Sequence, residues 1–187
     1  MADVEDKLNL VLSKYSENFS RKRYTSVYAD SDILMKAFGI TQELKGENKQ
    51  YWGRELGKCW ENILRDLFAA TCEDFELPRK IEGGEPADFF VGKDAIDTKY
   101  RVGSGDSGTL KKFEQYGKLL QSKGFRPIFL FLRTDNLKAA ISKMKAGGWL
   151  ILTGDETFEY IKAKTKFDLK SWLIALEKSE TFKINRP

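Results

Sequence analysis

A chain of 187 residues has the length to bury a single sizeable core, and with 41% hydrophobic and 13% aromatic residues it does not have the composition of a disordered protein. It contains no histidine, which excludes Ser-His-Asp and Cys-His catalysis, histidine bases and the usual zinc sites, so any hydrolysis has to run on carboxylates and lysine, with or without a metal. A net charge of +4 permits a polyanionic partner without demanding one, so the placement of charge along the chain carries more information than the total.

Cys59 and Cys72 have neither a CxxC nor a metal-ligand spacing and read as buried free thiols. No apolar run approaches the roughly 18–20 residues that span a bilayer. The start, Met1 to Asp6, is acidic and carries no signal-peptide pattern, so a cytoplasmic protein is expected.

The elements follow in chain order. Val4, Leu8, Val11, Leu12 and Tyr15 form an apolar helical stripe, and Ser20 to Tyr24 a basic turn. Asp30 or Ser31 is placed to cap a short helix through Ile33, Leu34, Ala37 and Phe38 that stops at Gly39. A long helix is expected from about Lys49 to Cys72, with an apolar face of Trp52, Leu56, Cys59, Trp60, Ile63, Leu67 and Phe68. A partial alternation around Phe75–Ile81 suggests a further strand. A hairpin then runs from Asp88 through Val102, followed by the glycine-rich loop Gly103–Gly108 and a helix from Thr109 to about Lys123. Arg126–Arg133 is a continuous apolar strand of the kind buried on both faces. A helix from Asn136 to about Ala146, a second buried strand at Trp149–Thr153, and one or two helices over 155–178 complete the chain. The expected fold is α/β, a mixed sheet with an antiparallel hairpin flanked by helices, in a single domain over 1–187. Within it, 1–47 is an N-terminal helical part, 48–153 the core and 154–187 the C-terminal helices.

The hairpin is the informative segment. With Gly92-Lys93 as a two-residue II′ loop, Val91 faces Asp94, Phe90 faces Ala95, Phe89 faces Ile96, and Asp88 faces Asp97. Period-two alternation turns Asp97 and Lys99 to one side, and that register sets the two aspartates roughly 5 Å apart at their side-chain bases. Carboxylates so close repel, and a hard divalent cation such as Mg²⁺ relieves the repulsion. The chain has five acid-x-lysine triplets, but only Asp97-Thr98-Lys99 sits in a strand; the others fall in helices or loops, where they read as solvated charge. The competing account is an edge hairpin whose polar face simply meets water.

Read as chemistry, the segment suits phosphodiester hydrolysis. Asp88 and Asp97 hold Mg²⁺, with Mn²⁺ as a substitute, and the Thr98 carbonyl is the third ligand. Lys99 orients or deprotonates the attacking water, or stabilises the pentavalent phosphorane. Arg101, on the face of Asp97 and Lys99, is a candidate phosphate contact. Ser104, Asp106 and Ser107 in the glycine-rich loop, and Lys111, Lys112 and Gln115 on the following helix, are candidates for DNA contact.

Pro86-Ala87-Asp88 together with Asp97-Thr98-Lys99 resembles the signature of the PD-(D/E)XK nuclease superfamily, which includes most type II restriction endonucleases. Ala87 stands between proline and aspartate, and the gap between the aspartates is short. The resemblance covers about half the chain, from residue 49 to 133, and implies a core of helix, three antiparallel strands, helix and further strand. It also implies an additional acid from the preceding helix, which nominates Glu61 in the segment Gly57–Leu64, with Glu55 as substitute. The expectation that follows is a Mg²⁺-dependent endonuclease of double-stranded DNA, a sequence-specific type II restriction enzyme acting as a homodimer without a nucleotide cofactor. The alternatives are a structure-selective nuclease of junction-resolvase or repair type, and a noncatalytic DNA-binding domain on the same core.

Overall fold

The computed structural model describes residues 31–103 and 105–184. The stripe at Val4–Tyr15 and the Ser20–Tyr24 turn lie outside them. The described chain runs α1 (Ile33–Ala37), α2 (Gln42–Glu47), α3 (Lys49–Thr71), β1 (Phe75–Glu76), β2 (Phe89–Val91), β3 (Asp94–Lys99), α4 (Ser107–Ser122), β4 (Arg126–Phe131), α5 (Lys138–Ala146), β5 (Leu150–Thr153), α6 (Asp155–Thr165) and α7 (Leu169–Ser179).

The five strands form one open mixed sheet in the order β1-β2-β3-β4-β5. The first three are antiparallel neighbours, and β3, β4 and β5 are parallel. The α/β expectation therefore holds, with helices on both faces. The alternation of side chains assigns the faces. Phe89, Val91, Ile96, Ile128 and Leu130 join one core with residues from α1, α3, α6 and α7. Phe90, Ala95, Phe129 and Phe131 join a second core with Leu120 of α4 and Ala140 and Met144 of α5. Burial on both faces explains why β4 is written in continuous apolar residues.

The hairpin register is the one read from the sequence as far as it extends: Val91 opposite Asp94, Phe90 opposite Ala95 and Phe89 opposite Ile96. Gly92 takes φ +57° and Lys93 does not share the positive value, as a II′ turn requires. A Cβ at Gly92 would stand 2.6 Å from the tip of the exposed Asp74 side chain, which can swing aside, so it is the positive φ that calls for glycine.

Helix α3 carries the opposing layer. Asn48 caps it by accepting from the Tyr51 amide at 2.9 Å. Its buried stripe is Leu56, Trp60, Leu64 and Phe68, at spacings of four. Leu64, which the sequence reading passed over, belongs to the fully buried set, whereas Trp52, Cys59, Ile63 and Leu67 pack at its margin. Trp60 is completely buried and donates its indole N–H to the Leu130 carbonyl at 3.2 Å, fixing α3 against the centre of the sheet.

Four expectations need correction. Cys59 and Cys72 are free thiols, but both are only partly buried. The cap of α1 is Asp32, whose Oδ1 accepts from the amides of Leu34 and Met35, and not Asp30 or Ser31. The hairpin's second strand ends at Lys99 and does not run on to Val102. Finally, β5 is an edge strand with Leu150 exposed, since no further strand pairs with it among the described residues.

Candidate active site

The site is built where β2 stops before β3 does. Pro86 and Ala87 are buried, and the chain bends at Asp88. The Asp88 amide still donates to the Ile96 carbonyl at 2.9 Å, one residue off the ladder register. Asp88 is thus not the ladder partner of Asp97; the pairing expected from the hairpin ends one residue early because the strand turns away. The Asp88 carboxylate instead satisfies the edge that β2 has left bare. Its Oδ2 accepts from the Thr98 amide at 2.7 Å and the Thr98 hydroxyl at 2.8 Å. Both hydrogen bonds fall on one oxygen, and Thr98 is itself buried.

Asp97 and Lys99 project from the same side of β3, as alternation requires. They form a direct ion pair, Lys99 Nζ to Asp97 Oδ1. The same ammonium lies 3.9 Å from Asp88 Oδ2 and donates to the Thr98 carbonyl at 3.1 Å. Three oxygens, two from carboxylates and one from the backbone, therefore converge on one cation, and they are the three expected around a metal.

Electrostatics mark Asp97 as the strained member. Its side chain is 16% exposed, and its Oδ1 is buried without an aligned hydrogen bond despite the nearby ammonium. Burial pushes its carboxyl from 3.8 up to about 7; Lys99 opposes the rise, while Asp88 and Glu61 add to it. Burial alone would pull the Lys99 ammonium down, but the charges of Asp97 and Asp88 outweigh it and hold Lys99 above the ordinary lysine range. In this arrangement Lys99 is a permanent cation and not a base.

Glu61 looks into this cluster from α3. Burial raises its carboxyl, Asp88 raises it further, and Lys99 and Arg65 lower it. Glu55 is turned elsewhere: its carboxylate pairs with Arg54 at 2.9 Å and Lys58 at 3.6 Å. Of the two helical acids, Glu61 is the one within the field of Asp88, Asp97 and Lys99.

The oxygen set suits a small hard cation, which is commonly held by one or two carboxylates and completed by water and phosphate. A buried carboxylate whose proton affinity is raised, with one ammonium for a partner, is the second feature in favour. Among the described residues no three acidic or thiol side chains form a ready-made cage, so the donor set is two carboxylates and a carbonyl.

The expected DNA contacts are placed less uniformly. Arg101 does not share the face of Asp97, because the strand has ended; it turns to Asp135, donating to its carbonyl at 3.0 Å and pairing with Oδ2 at 2.9 Å. Asp106 is the cap of α4, accepting from the Thr109 amide at 2.8 Å, a bond that holds its carboxyl low and anionic and so unsuited to receive a phosphate. Ser107 opens that helix, and Lys111, Lys112 and Gln115 are exposed along it. Ser104 lies outside the described residues. Missed altogether was a cleft of about 430 Å³ beside the end of β3, into which Lys45, Lys49 and Arg54 bring charge from α2 and the start of α3. No short-range pattern links those lysines to β3; Lys45 and Tyr100 meet across 55 positions.

No family model matches this chain, and neither the curated proteins nor the solved structures give a match. Among the described residues no helix is long and apolar enough to cross a membrane.

Proposed function

We propose that this chain is a Mg²⁺-dependent endonuclease of double-stranded DNA, of the PD-(D/E)XK type and in the type II restriction class. One observation carries the reading: Asp88 Oδ2, Asp97 Oδ1 and the Thr98 carbonyl surround a single cationic position at an unpaired sheet edge, with Glu61 facing it from α3. The succession from α3 through three antiparallel strands, α4 and the parallel β4 supports the same assignment.

Asp88 and Asp97 would hold the metal, with the Thr98 carbonyl. When bound, Mg²⁺ polarises the phosphate and makes a coordinated water more acidic. The protein's own groups do the rest. Thr98 pins Asp88 through two hydrogen bonds, so the carboxylate is oriented before substrate arrives. Lys99, displaced from the oxygens it now bridges, remains charged and faces the negative charge that builds on the phosphorane oxygens. Glu61, with its proton affinity raised, accepts a hydrogen bond from the attacking water or holds it in line. Asp97 has a single ammonium as its partner, a charge that a divalent cation would exceed. A two-fold dimer supplies one such corner to each strand of a duplex.

The test is incubation of supercoiled and linear DNA with Mg²⁺, beside the Asp97→Ala and Lys99→Ala proteins. Discrete fragments from the wild type alone support the reading. Cutting confined to branched DNA moves the protein to the structure-selective class. Absence of cutting with both Mg²⁺ and Mn²⁺, or full cutting by Asp97→Ala, removes it.

A further inference from the structure

Beyond the end of β3 lies the cleft noted above, bounded by α2, the first turns of α3 and the segments that leave β3 and β4. Five cationic side chains line it, Lys45, Lys49, Arg54, Arg101 and Arg133, against one acid, Asp135. Arg133 is bound by Asp32 at 2.8 Å and Asp135 at 2.7 Å, Arg101 by Asp135, and Arg54 by Glu55. Lys45 differs in the kind of partner it has. Its ammonium donates to the Tyr100 hydroxyl at 2.8 Å and to the Met35 sulfur at 3.4 Å, and sits 4.9 Å from the centre of the Tyr100 ring. Tyr100 in turn donates its hydroxyl hydrogen bond to Asp32, so the acid reaches Lys45 through the phenol. Half-buried and hydrogen-bonded only to neutral groups, Lys45 is held below the ordinary lysine range by burial first, with Asp32 and Asp135 opposing and Arg133 and Arg101 reinforcing. A cation desolvated without a carboxylate partner gains most from an incoming anion.

The cleft is also aligned with the candidate active site. Tyr100 and Arg101 follow Lys99 directly in the chain. On α3, Arg54 in the cleft wall precedes Glu61 by seven residues, about 10 Å along the helix axis.

We propose that this cleft is a second phosphate site, in which Lys45 binds a backbone phosphate of the same DNA molecule that is held at Asp88 and Asp97. The inference rests on the nuclease reading above. The cleft's wall is open at Gly53, where a Cβ would meet nothing within 4 Å, so the backbone of the strand can come close to α3.

The test is fluorescence anisotropy of a labelled 16-base-pair duplex, titrated without divalent metal across a series of salt concentrations, using the full chain and its Lys45→Met and Gly53→Glu variants. Lys45→Met should weaken binding about tenfold at moderate salt and reduce the slope of log K against log salt by about 0.9, the signature of one lost phosphate contact. Gly53→Glu adds an acid at a position with free space and a better helix former than glycine, so it should fold and weaken binding at least as much. Variants that bind like the wild type with an unchanged slope overturn the phosphate site and leave the nuclease reading standing. A wild type that binds no duplex overturns both.

Discussion

Replacing Asp97 by asparagine keeps the shape of the side chain and removes the charge that the fold tolerates worst. The carboxyl titrates near 7 in place of 3.8, chiefly because it is buried. The folded protein therefore holds this proton more tightly than the unfolded chain does. Stability from that proton is fully present below about pH 3.8 and is lost as the pH rises through about 7. At about 1.36 kcal/mol per tenfold change in proton affinity, the whole difference is on the order of 4 kcal/mol by pH 8. The attraction of Lys99 is already contained in the value near 7, and in the variant Lys99 keeps Asp88 and the Thr98 carbonyl as partners, so the expected sign is a gain and about 4 kcal/mol is its upper bound. Urea unfolding of the two proteins in chelator, from about pH 5 to pH 8, reads it directly. The variant should be the more stable at pH 8, and its advantage should shrink toward pH 5. Added Mg²⁺ should then stabilise the wild type and not the variant, since the ligand that welcomes the ion is gone. A variant less stable than the wild type at pH 8, or an advantage that does not change with pH, would refute the claim that this corner is held against its own electrostatics.

Thr98→Val keeps the β-branched shape and the backbone bond but deletes the 2.8 Å hydroxyl bond to Asp88; it should cost about 1 kcal/mol in urea and raise the Mg²⁺ concentration needed for half-maximal cutting. Asp94→Asn attacks the other end of β3, where a buried carboxylate is held by Arg126 at 2.6 Å, Lys164 at 2.7 Å and Tyr160 at 2.8 Å; about 3 kcal/mol of stability should go, with cutting retained at low temperature. Burial pushes the Asp94 carboxyl up, but these partners together hold it below 3.8, so its contribution is present above that value and fades as the pH falls through the folded one; an acid titration of unfolding should show this part of the loss missing in the variant. Glu61→Gln should slow cutting while Glu55→Gln leaves the rate unchanged, a comparison made in single-turnover cleavage assays at fixed Mg²⁺.

Local periodicity made much of the sheet readable. Val91 and Asp94 flank a glycine turn that only one register satisfies, and the apolar run of β4 could lie only in the middle of a sheet. The same rule failed one residue further on. Asp88 was set opposite Asp97 by extending the ladder, but the bend after Pro86 and Ala87 ends β2 at Phe89 and sends the Asp88 carboxylate to the Thr98 amide. Alternation is a property of strands, and it cannot announce where a strand stops. Arg101 was misplaced for the same reason. The cleft lay further out of reach: Lys45 meets Tyr100, and Arg133 meets Asp32, across separations of 55 and 101 positions, and neither pairing leaves a mark on the local pattern.

The two ends of β3 hold carboxylates whose surroundings push them in opposite directions. At its start Asp94 is the more buried acid, yet it is surrounded by a guanidinium, an ammonium and a phenol, and its proton affinity falls. At its end Asp97 has a single ammonium to share with Asp88 and the Thr98 carbonyl, and its proton affinity rises. Burial is common to both; the number of partners decides the sign. A carboxylate already neutralised by a guanidinium and an ammonium, as Asp94 is, has little to offer a further cation. One left short of partners, at an edge where the neighbouring strand has turned away, costs the fold stability and keeps its affinity for a cation that arrives from outside. If that difference is functional, giving Asp97 an added donor should stabilise the protein and weaken Mg²⁺ binding together, whereas stripping a partner from Asp94 should only destabilise it.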